Sequence, residues 1–180
     1  MSTIRMSSGL AFTPEKDLEM FADMARRGKR LTAVSLPHHG WCFDDAEPED
    51  VVFDMAYQAN PSDEYFDLFR AAGWTPVLSY GHIHFFKAAP GTAPVHTSIE
   101  SRLEEMVSNR DMYARYSAVV IAVVALALLG LAAAGWPTVP TMVLAPLGAV
   151  ALVYTTFPLV GFSRQLHRLR HPNLEAPHAQ

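Results

Sequence analysis

A long run of residues without any charge is the feature that most constrains this chain. Residues 117–163 contain no Asp, Glu, Lys or Arg, and two apolar segments, 117–136 and 141–162, lie inside this run with a proline-bounded link between them. A helix of about 20 residues spans the roughly 30 Å hydrocarbon core of a bilayer, and proline disfavours continuation of a helix. The run therefore predicts a hairpin of two transmembrane helices. The alternative, a hairpin in a soluble core, is disfavoured because such helices keep a polar face.

The charges that flank the two segments predict their orientation. Basic residues stay on the cytoplasmic side of a membrane, so we expect both termini in the cytoplasm. Residues 1–30 lack the apolar region of a cleaved signal peptide. No ionisable residue lies within the segments, which argues against an ion channel or a transporter. The flanking residues are Arg102, Arg110 and Arg115 before the first segment, and Arg164, Arg168 and Arg170 after the second.

Small residues recur at four-residue spacing in the apolar segments, for example at Ala118 and Ala122 and at Ala145 and Ala149. Such residues let helices approach closely. The spacing permits packing within the hairpin or association of several copies, and both interpretations remain open. Trp136 is expected to anchor the end of the first segment at the membrane surface.

The rest of the chain divides into a cytoplasmic domain over residues 1–97, a juxtamembrane helix over 98–116 and a cytoplasmic tail over 163–180. A capping-box pattern at Thr97 and Glu100 marks the start of the juxtamembrane helix. Residues 1–116 carry 11 basic and 17 acidic residues, a net charge of −6. Direct nucleic-acid binding is disfavoured because phosphate contact needs a basic surface.

Start and stop signals for a helix occur twice in the domain. Thr13-Pro14-Glu15 and Gly28 bound one periodic apolar segment, and Asn60-Pro61-Ser62 and Gly73 bound the other. Short aromatic or β-branched runs between and after them are typical of strands. These runs are Leu31–Leu36, Trp41–Phe43, Val51–Tyr57, Trp74–Tyr80 and His82–Phe86.

The two halves of the domain resemble each other. A shift of 45 positions places Glu19–Gly28 over Glu64–Gly73 with both glycines in register, and residues of about 4–46 and 50–88 each read as strand, helix, strand, strand. The predicted fold class is therefore α+β: a duplicated strand-helix-strand-strand cytoplasmic domain, with a mainly antiparallel sheet and two helices on one face, followed by a two-helix transmembrane hairpin. The match does not distinguish a true duplication from shared amphipathic design.

The groove between the halves is the expected site for a ligand or a partner. The aromatic side chains that we expect in its walls are Trp41, Trp74 and Tyr80. Aromatic residues of a small domain are also core residues, which is the competing interpretation of all three.

No arrangement of reactive side chains indicates catalysis. His82 and His84 alternate on a predicted strand, so both rings would point to one face, and His38-His39 lies in the other half. Imidazole pairs can hold zinc or copper, but no third ligand is near either pair. Cys42 is the single cysteine and has no base in a nucleophile pattern. We expect no catalytic residue, no metal and no cofactor.

Six acidic residues cluster around the loop after the predicted Trp41–Phe43 strand. Their spacing is not that of a calcium-binding loop, which needs a central glycine and a terminal glutamate. We therefore interpret the cluster as a solvated turn. Its members are Asp44, Asp45, Glu47, Glu49, Asp50 and Asp54.

Several segments of the domain resemble those of a bacterial protein family. The segments FTPEKDLEMFADMARRGKRL from Phe12, VVFDMAYQ, YFDLFRAAGW from Tyr65, FFKAAPG and PVHTSIESRLEE are similar to the family catalogued as domain of unknown function 2812. The resemblance covers about residues 12–105. Members usually have Gly-Trp after both helices, whereas this chain has Gly28-Lys29 after the first. Ser98 stands where many members have an acidic residue.

The resemblance implies a bacterial protein, but no established reaction. Genes of this family often neighbour transcriptional regulators of the PadR type, which implies regulation at the membrane. The duplicated module is also similar in topology to drug-binding regulator domains of the GyrI type, which is an analogy of fold alone.

We therefore expect a multi-pass protein of the bacterial inner membrane, which acts as a regulatory or protein-interaction module without catalytic activity. Its expected partners are the lipid bilayer and a cytoplasmic protein such as a transcriptional regulator. The alternative function is a small-molecule-binding sensor that uses the cleft between the two halves.

Overall fold

A computed structural model describes residues 2–36, 39–96, 99–135 and 138–170 of the chain. These residues form two compact units, Met1–Arg102 and Leu103–Gln180. The first unit, which we call the head, contains the strands and the two short helices. The second contains most of one long helix and all of another.

Both halves of the head have the predicted element order. Each half forms a three-stranded antiparallel sheet in which the last strand lies in the middle, in the orders β1-β3-β2 and β4-β6-β5. The α+β fold class with repeated strand-helix-strand-strand halves is therefore confirmed. The first half comprises β1 (Thr3–Met6), α1 (Pro14–Arg26), β2 (Lys29–Val34) and β3 (Gly40–Asp45). The second half comprises β4 (Val52–Tyr57), α2 (Asp63–Ala71), β5 (Thr75–Tyr80) and β6 (Ile83–Ala88).

The strand register repeats from one half to the other. The β2–β3 pairing shifts by one residue between Leu31 and Ala33, and the β5–β6 pairing shifts between Pro76 and Leu78, 45 positions later. Such a shift is a β-bulge, which leaves one residue without a partner on the neighbouring strand. The bulged residues are Thr32 and Val77. The two halves therefore correspond residue by residue along these strands.

A buried carboxylate fixes the chain between β1 and α1. Pro14 occupies the first turn of α1, where its missing N–H costs nothing. Asp17 follows in the same helix and is fully buried. Its side chain accepts a hydrogen bond from the Ser7 hydroxyl at 2.6 Å and another from the Ser8 backbone N–H at 2.8 Å. These bonds hold the connecting loop against the helix.

The core of the head lies between the two sheets, around α1. Phe21 of α1 is fully buried and makes edge contacts with Trp41 and Phe43 of the first sheet at centroid distances of 5.0 and 5.9 Å. It also contacts Phe53 and Phe85 of the second sheet, both at 5.6 Å. The two helices therefore do not share one face of a single sheet, as the repeat suggested, because α1 packs against both sheets.

The second helix covers the other face of the second sheet. Ser62 caps α2 by accepting a hydrogen bond from the Tyr65 N–H. Phe69 packs on Phe86 at a centroid distance of 4.5 Å. Because Phe85 and Phe86 are neighbours on β6, they point to opposite faces. The second sheet is consequently covered on both faces, by α1 on one and by α2 on the other.

Two long helices form the second unit. They are α3 (Ile99–Ala133, 35 residues) and α4 (Thr138–Arg170, 33 residues), each about 50 Å long at 1.5 Å per residue. They run antiparallel, since Tyr113 stacks on Phe162 at 5.6 Å while Val124 lies beside Gly148. In the most apolar 18-residue window of each helix only 11% and 0% of the residues are buried. Both helices are long and apolar enough to cross a membrane, and most of the residues in these apolar windows are exposed.

The helices extend beyond the predicted spans. The predicted juxtamembrane helix and first span are one continuous helix, α3, and α4 continues through part of the predicted tail to Arg170. Pro146 and Pro158 lie inside α4. Trp136, Thr97 and tail residues 171–180 lie outside the described residues.

The Asp17 contacts predict a loss of stability on substitution. Asp17→Ala removes the buried carboxylate that accepts the hydrogen bonds of the Ser7 hydroxyl and the Ser8 N–H, and the loss of hydrogen bonds to a charged group costs about 1–3 kcal/mol. The change should lower the midpoint of head unfolding in the full-length protein, followed by the fluorescence of the buried Trp41 and Trp74. Glu19→Ala, at an exposed position of the same helix, should change the free energy of unfolding by less than about 0.5 kcal/mol. Equal effects of the two substitutions would contradict the assignment.

Candidate functional site

A cavity of about 430 Å³ lies at the seam between the two halves of the head. It is bordered by β2 and β5, which are edge strands of their sheets and lie next to each other. We call it the seam cavity. Its apolar lining comes from α1, β4 and both edge strands, through Ala25, Leu31, Phe53, Pro76 and Val77.

Charged side chains complete the lining of the seam cavity. Two lysines from opposite halves take part: Lys29 forms an ion pair with Asp45, and Lys87 forms one with Glu49. The lysine side chains are 22% and 27% exposed, whereas their acidic partners are 61% and 44% exposed. The lysine side chains as a whole are therefore less exposed than the acidic side chains that neutralise them. The charged lining residues are Lys29, Arg30, Glu47, Glu49 and Lys87.

Both β-bulges of the repeat lie at this cavity. Thr32 and Val77 are the bulged residues of β2 and β5, and both line the cavity. The Thr32 hydroxyl donates to the Cys42 carbonyl at 3.2 Å. A bulge bends its strand and interrupts the ladder, so two bulges facing each other keep the edge strands from forming one continuous sheet. This is why the cavity lies at the seam.

The ion pair beside the cavity changes the acidity of one carboxyl group. The pKa of Asp45 is lowered from its ordinary value near 3.8 to about 2, and the hydrogen bond from Lys29 is the largest cause. Because the folded-state pKa is depressed, the pairing contributes its stability above pH 3.8 and loses it as the pH falls towards 2.

The three aromatic residues expected in the groove wall do not line the seam cavity. Trp41 is 3% exposed and belongs to the core around Phe21, and its indole N–H has no hydrogen-bond partner among the described residues. Trp74 is also 3% exposed and donates to the Ala93 carbonyl at 2.9 Å. Tyr80 is 41% exposed at the end of β5. The groove exists between the halves, but mixed apolar and charged residues line it.

The two histidines of the second half lie in different surroundings. His84 is buried; its Nε2 donates to the Gln58 carbonyl at 3.0 Å, and its Nδ1 lies 2.9 Å from the Ser79 hydroxyl. The His82 ring packs at a tilt against Tyr57, a residue at the edge of the core around α1, with a centroid distance of 5.6 Å. The two rings therefore do not share a face, contrary to the sequence expectation. His38 lies outside the described residues, and no group of three or more His, Cys, Asp or Glu side chains placed to hold a metal occurs in the part described.

The acidic cluster is partly neutralised by contacts within the head. Besides the pairs of Asp45 and Glu49 with lysines, Asp54 accepts hydrogen bonds from the backbone N–H groups of Met55 and Val95, both at 2.8 Å. These carboxylates hold strands and loops in place.

One face of the first sheet is exposed in the part of the head that the structure describes. Ile4 and Met6 of the edge strand β1 are 62% and 73% exposed. Ala33 is also exposed and Cys42 is half-buried, and the strand pairing places these four side chains on the face opposite Trp41. We call this surface the open face.

The repeat shows what is unusual about the open face. Ile4 and Cys42 of the first half correspond in register to Met55 and Phe85 of the second. Met55 and Phe85 are buried against α1. The same surface of the repeating unit is therefore a core surface in one half and an exposed apolar surface in the other.

Removing the partner of Asp45 tests the electrostatic description of the cavity rim. Lys29→Met should raise the pKa of Asp45 from about 2 towards 3.8, as measured by a carbon-detected NMR titration of the side-chain carboxyl. Lys16→Met, an exposed change on α1, should leave it near 2. An unchanged pKa in the Lys29 variant would show that the ion pair does not form in solution.

Comparison with known proteins bears on the family and not on the activity. No curated protein and no solved structure matches the chain. A family model described as "Protein of unknown function (DUF2812)" matches residues 13–118, more than half of the chain. The match begins at the cap of α1, includes both cavity strands and ends within α3. The chain therefore belongs to the DUF2812 family.

Proposed function

We propose that the protein is a non-catalytic regulatory module, anchored in the bacterial inner membrane, whose cytoplasmic head binds another protein through the open face. The observation that carries the proposal is that equivalent positions of the two sheets differ in burial. Apolar side chains at positions that are core in the second half are exposed in the first. Exposed apolar patches of this kind mark interaction surfaces.

The edge position of β1 adds to this argument. β1 is the outer strand of its sheet, and its register directs the backbone groups of Thr3 and Arg5 towards β3. Those of Ile4 and Met6 consequently point away from the sheet. A partner can therefore pair with this edge through its main chain and cover the apolar side chains at the same time.

The proposed partner is a cytoplasmic protein such as a transcriptional regulator, held at the membrane by the module. The negative charge of residues 1–116, −6 overall, supports a protein partner over direct contact with nucleic acid. The arginines near the start of α3 and near the end of α4 support an orientation with both termini in the cytoplasm. Because the hairpin anchors the head in the bilayer, a bound partner would be held at the cytoplasmic surface of the inner membrane.

Photo-crosslinking in cells tests the open face. A benzoylphenylalanine at Met6 should give one reproducible adduct, identified by mass spectrometry, and Ile4→Lys in the same chain should abolish it. The same amino acid at Leu68 should give none, although Leu68 of α2 is 72% exposed, as exposed as Met6 at 73%. Adducts of equal yield at both sites, or none at either, would contradict binding through the open face.

Cysteine labelling tests the membrane orientation. In a Cys42→Ser background, Glu64→Cys on α2 and Thr138→Cys at the start of α4 both place a thiol at an exposed position. A membrane-impermeant maleimide added to spheroplasts with an intact inner membrane should label Thr138→Cys but not Glu64→Cys, and lysis should expose both. Labelling of Glu64→Cys before lysis would overturn the cytoplasmic placement of the head.

The seam cavity supports a second candidate function, a small-molecule-binding sensor. Its volume of about 430 Å³ lies within the usual range of ligand sites, and it lies between the two halves, where binding can change their separation. This candidate is compatible with the first, because the cavity and the open face are different surfaces of the head.

A further inference from the structure

We propose that the seam cavity binds an amphipathic organic anion. Its apolar body would lie on Leu31, Phe53 and Val77, and its carboxylate or sulfonate would lie between Lys29 and Lys87. This proposal rests on the second candidate function and specifies the chemical class of the ligand.

The apolar part of the cavity provides the first argument. Leu31 is 3% exposed, and Phe53 and Val77 are half-buried, so these side chains form a firm floor supported by the core around α1. Apolar residues form about half of the lining, and a cavity of this volume that combines an apolar wall with polar groups at fixed positions suits a small amphipathic molecule.

The charges around the cavity provide the second argument. Three basic and two acidic residues line it, within a segment, residues 1–116, whose net charge is −6. The lining itself therefore carries one more basic than acidic residue, and the carboxylate of Asp45, which pairs with Lys29, lies outside it. A cationic ligand would lie next to two ammonium groups. An organic anion would be attracted to both.

The exposure of the ion pairs provides the third argument. The lysine side chains, 22% and 27% exposed, are more enclosed than Asp45 and Glu49 at 61% and 44%. Coulomb attraction is stronger where solvent is partly excluded, so a ligand anion inside the cavity would interact with these lysines more strongly than with a fully exposed lysine. An ammonium group has three donors, and a ligand can therefore share Lys87 with Glu49.

Calorimetric titration of the full-length protein in nanodiscs tests the ligand class. The probes are 2-naphthoate and its neutral analogue 2-naphthylmethanol, with empty nanodiscs subtracted. Lys29→Met/Lys87→Met should weaken naphthoate binding by about tenfold or more, because charge-assisted contacts are lost, and should change naphthylmethanol binding by less than about twofold. Lys16→Met, outside the cavity, should leave both affinities unchanged.

A variant that is expected to strengthen naphthoate binding distinguishes a change in affinity from a folding defect. Glu47→Gln removes an exposed carboxylate from the lining and should strengthen naphthoate binding severalfold without affecting naphthylmethanol. If both probes bind equally and none of these variants separates them, the cavity is a ligand site but the anionic class is wrong. If neither probe binds above empty nanodiscs, both the anion proposal and the sensor function are overturned.

Discussion

Phe21 holds the two halves of the head together. Its ring is fully buried and contacts aromatic rings of both sheets at 5.0 to 5.9 Å. Phe66, its counterpart in the second half, contacts His84 and Phe86 of its own sheet. Truncation of a buried phenylalanine typically costs about 3–5 kcal/mol, a large part of the 5–15 kcal/mol that stabilises an ordinary domain. The head is thus organised around one helix that serves both sheets.

This packing explains why equivalent halves have different surfaces. In a stack of repeated units, the terminal units need a polar outer surface. At one end of the head, α2 provides such a surface with the exposed Glu64 and Asp67. The other end is the first sheet, where Ile4 and Met6 remain exposed. The seam cavity has the same origin, since α1 separates the sheets on one side while the bulged strands β2 and β5 approach without pairing.

Local signals were enough to predict the helices and most strands, because their boundaries depend on nearby residues: Gly28 and Gly73 end α1 and α2 with φ of +70° and +89°. β1 has no such signal, since its four residues are held in place by pairing with β3. The cavity lining could not be predicted, because it depends on which sheet faces which helix. The large aromatic side chains of Trp41 and Trp74, which we expected in the groove wall, lie in the hydrophobic cores instead. The hydropathy pattern also did not predict that α4 continues to Arg170, because the residues after Phe162 include charged ones. Phe162 itself packs on Tyr113 of α3.

The cavity and the open face share strand β2, which is a physical route by which the two proposed sites would be coupled. Leu31 lies in the cavity lining and Ala33 on the open face, and the bulge at Thr32 lies between them. The Thr32 hydroxyl holds the carbonyl of Cys42, an open-face residue. A ligand that changes the separation of β2 and β5 would therefore act on a strand that also carries the proposed partner surface. Coupling of two sites is reciprocal, so a partner bound to the open face would alter ligand affinity by the same factor.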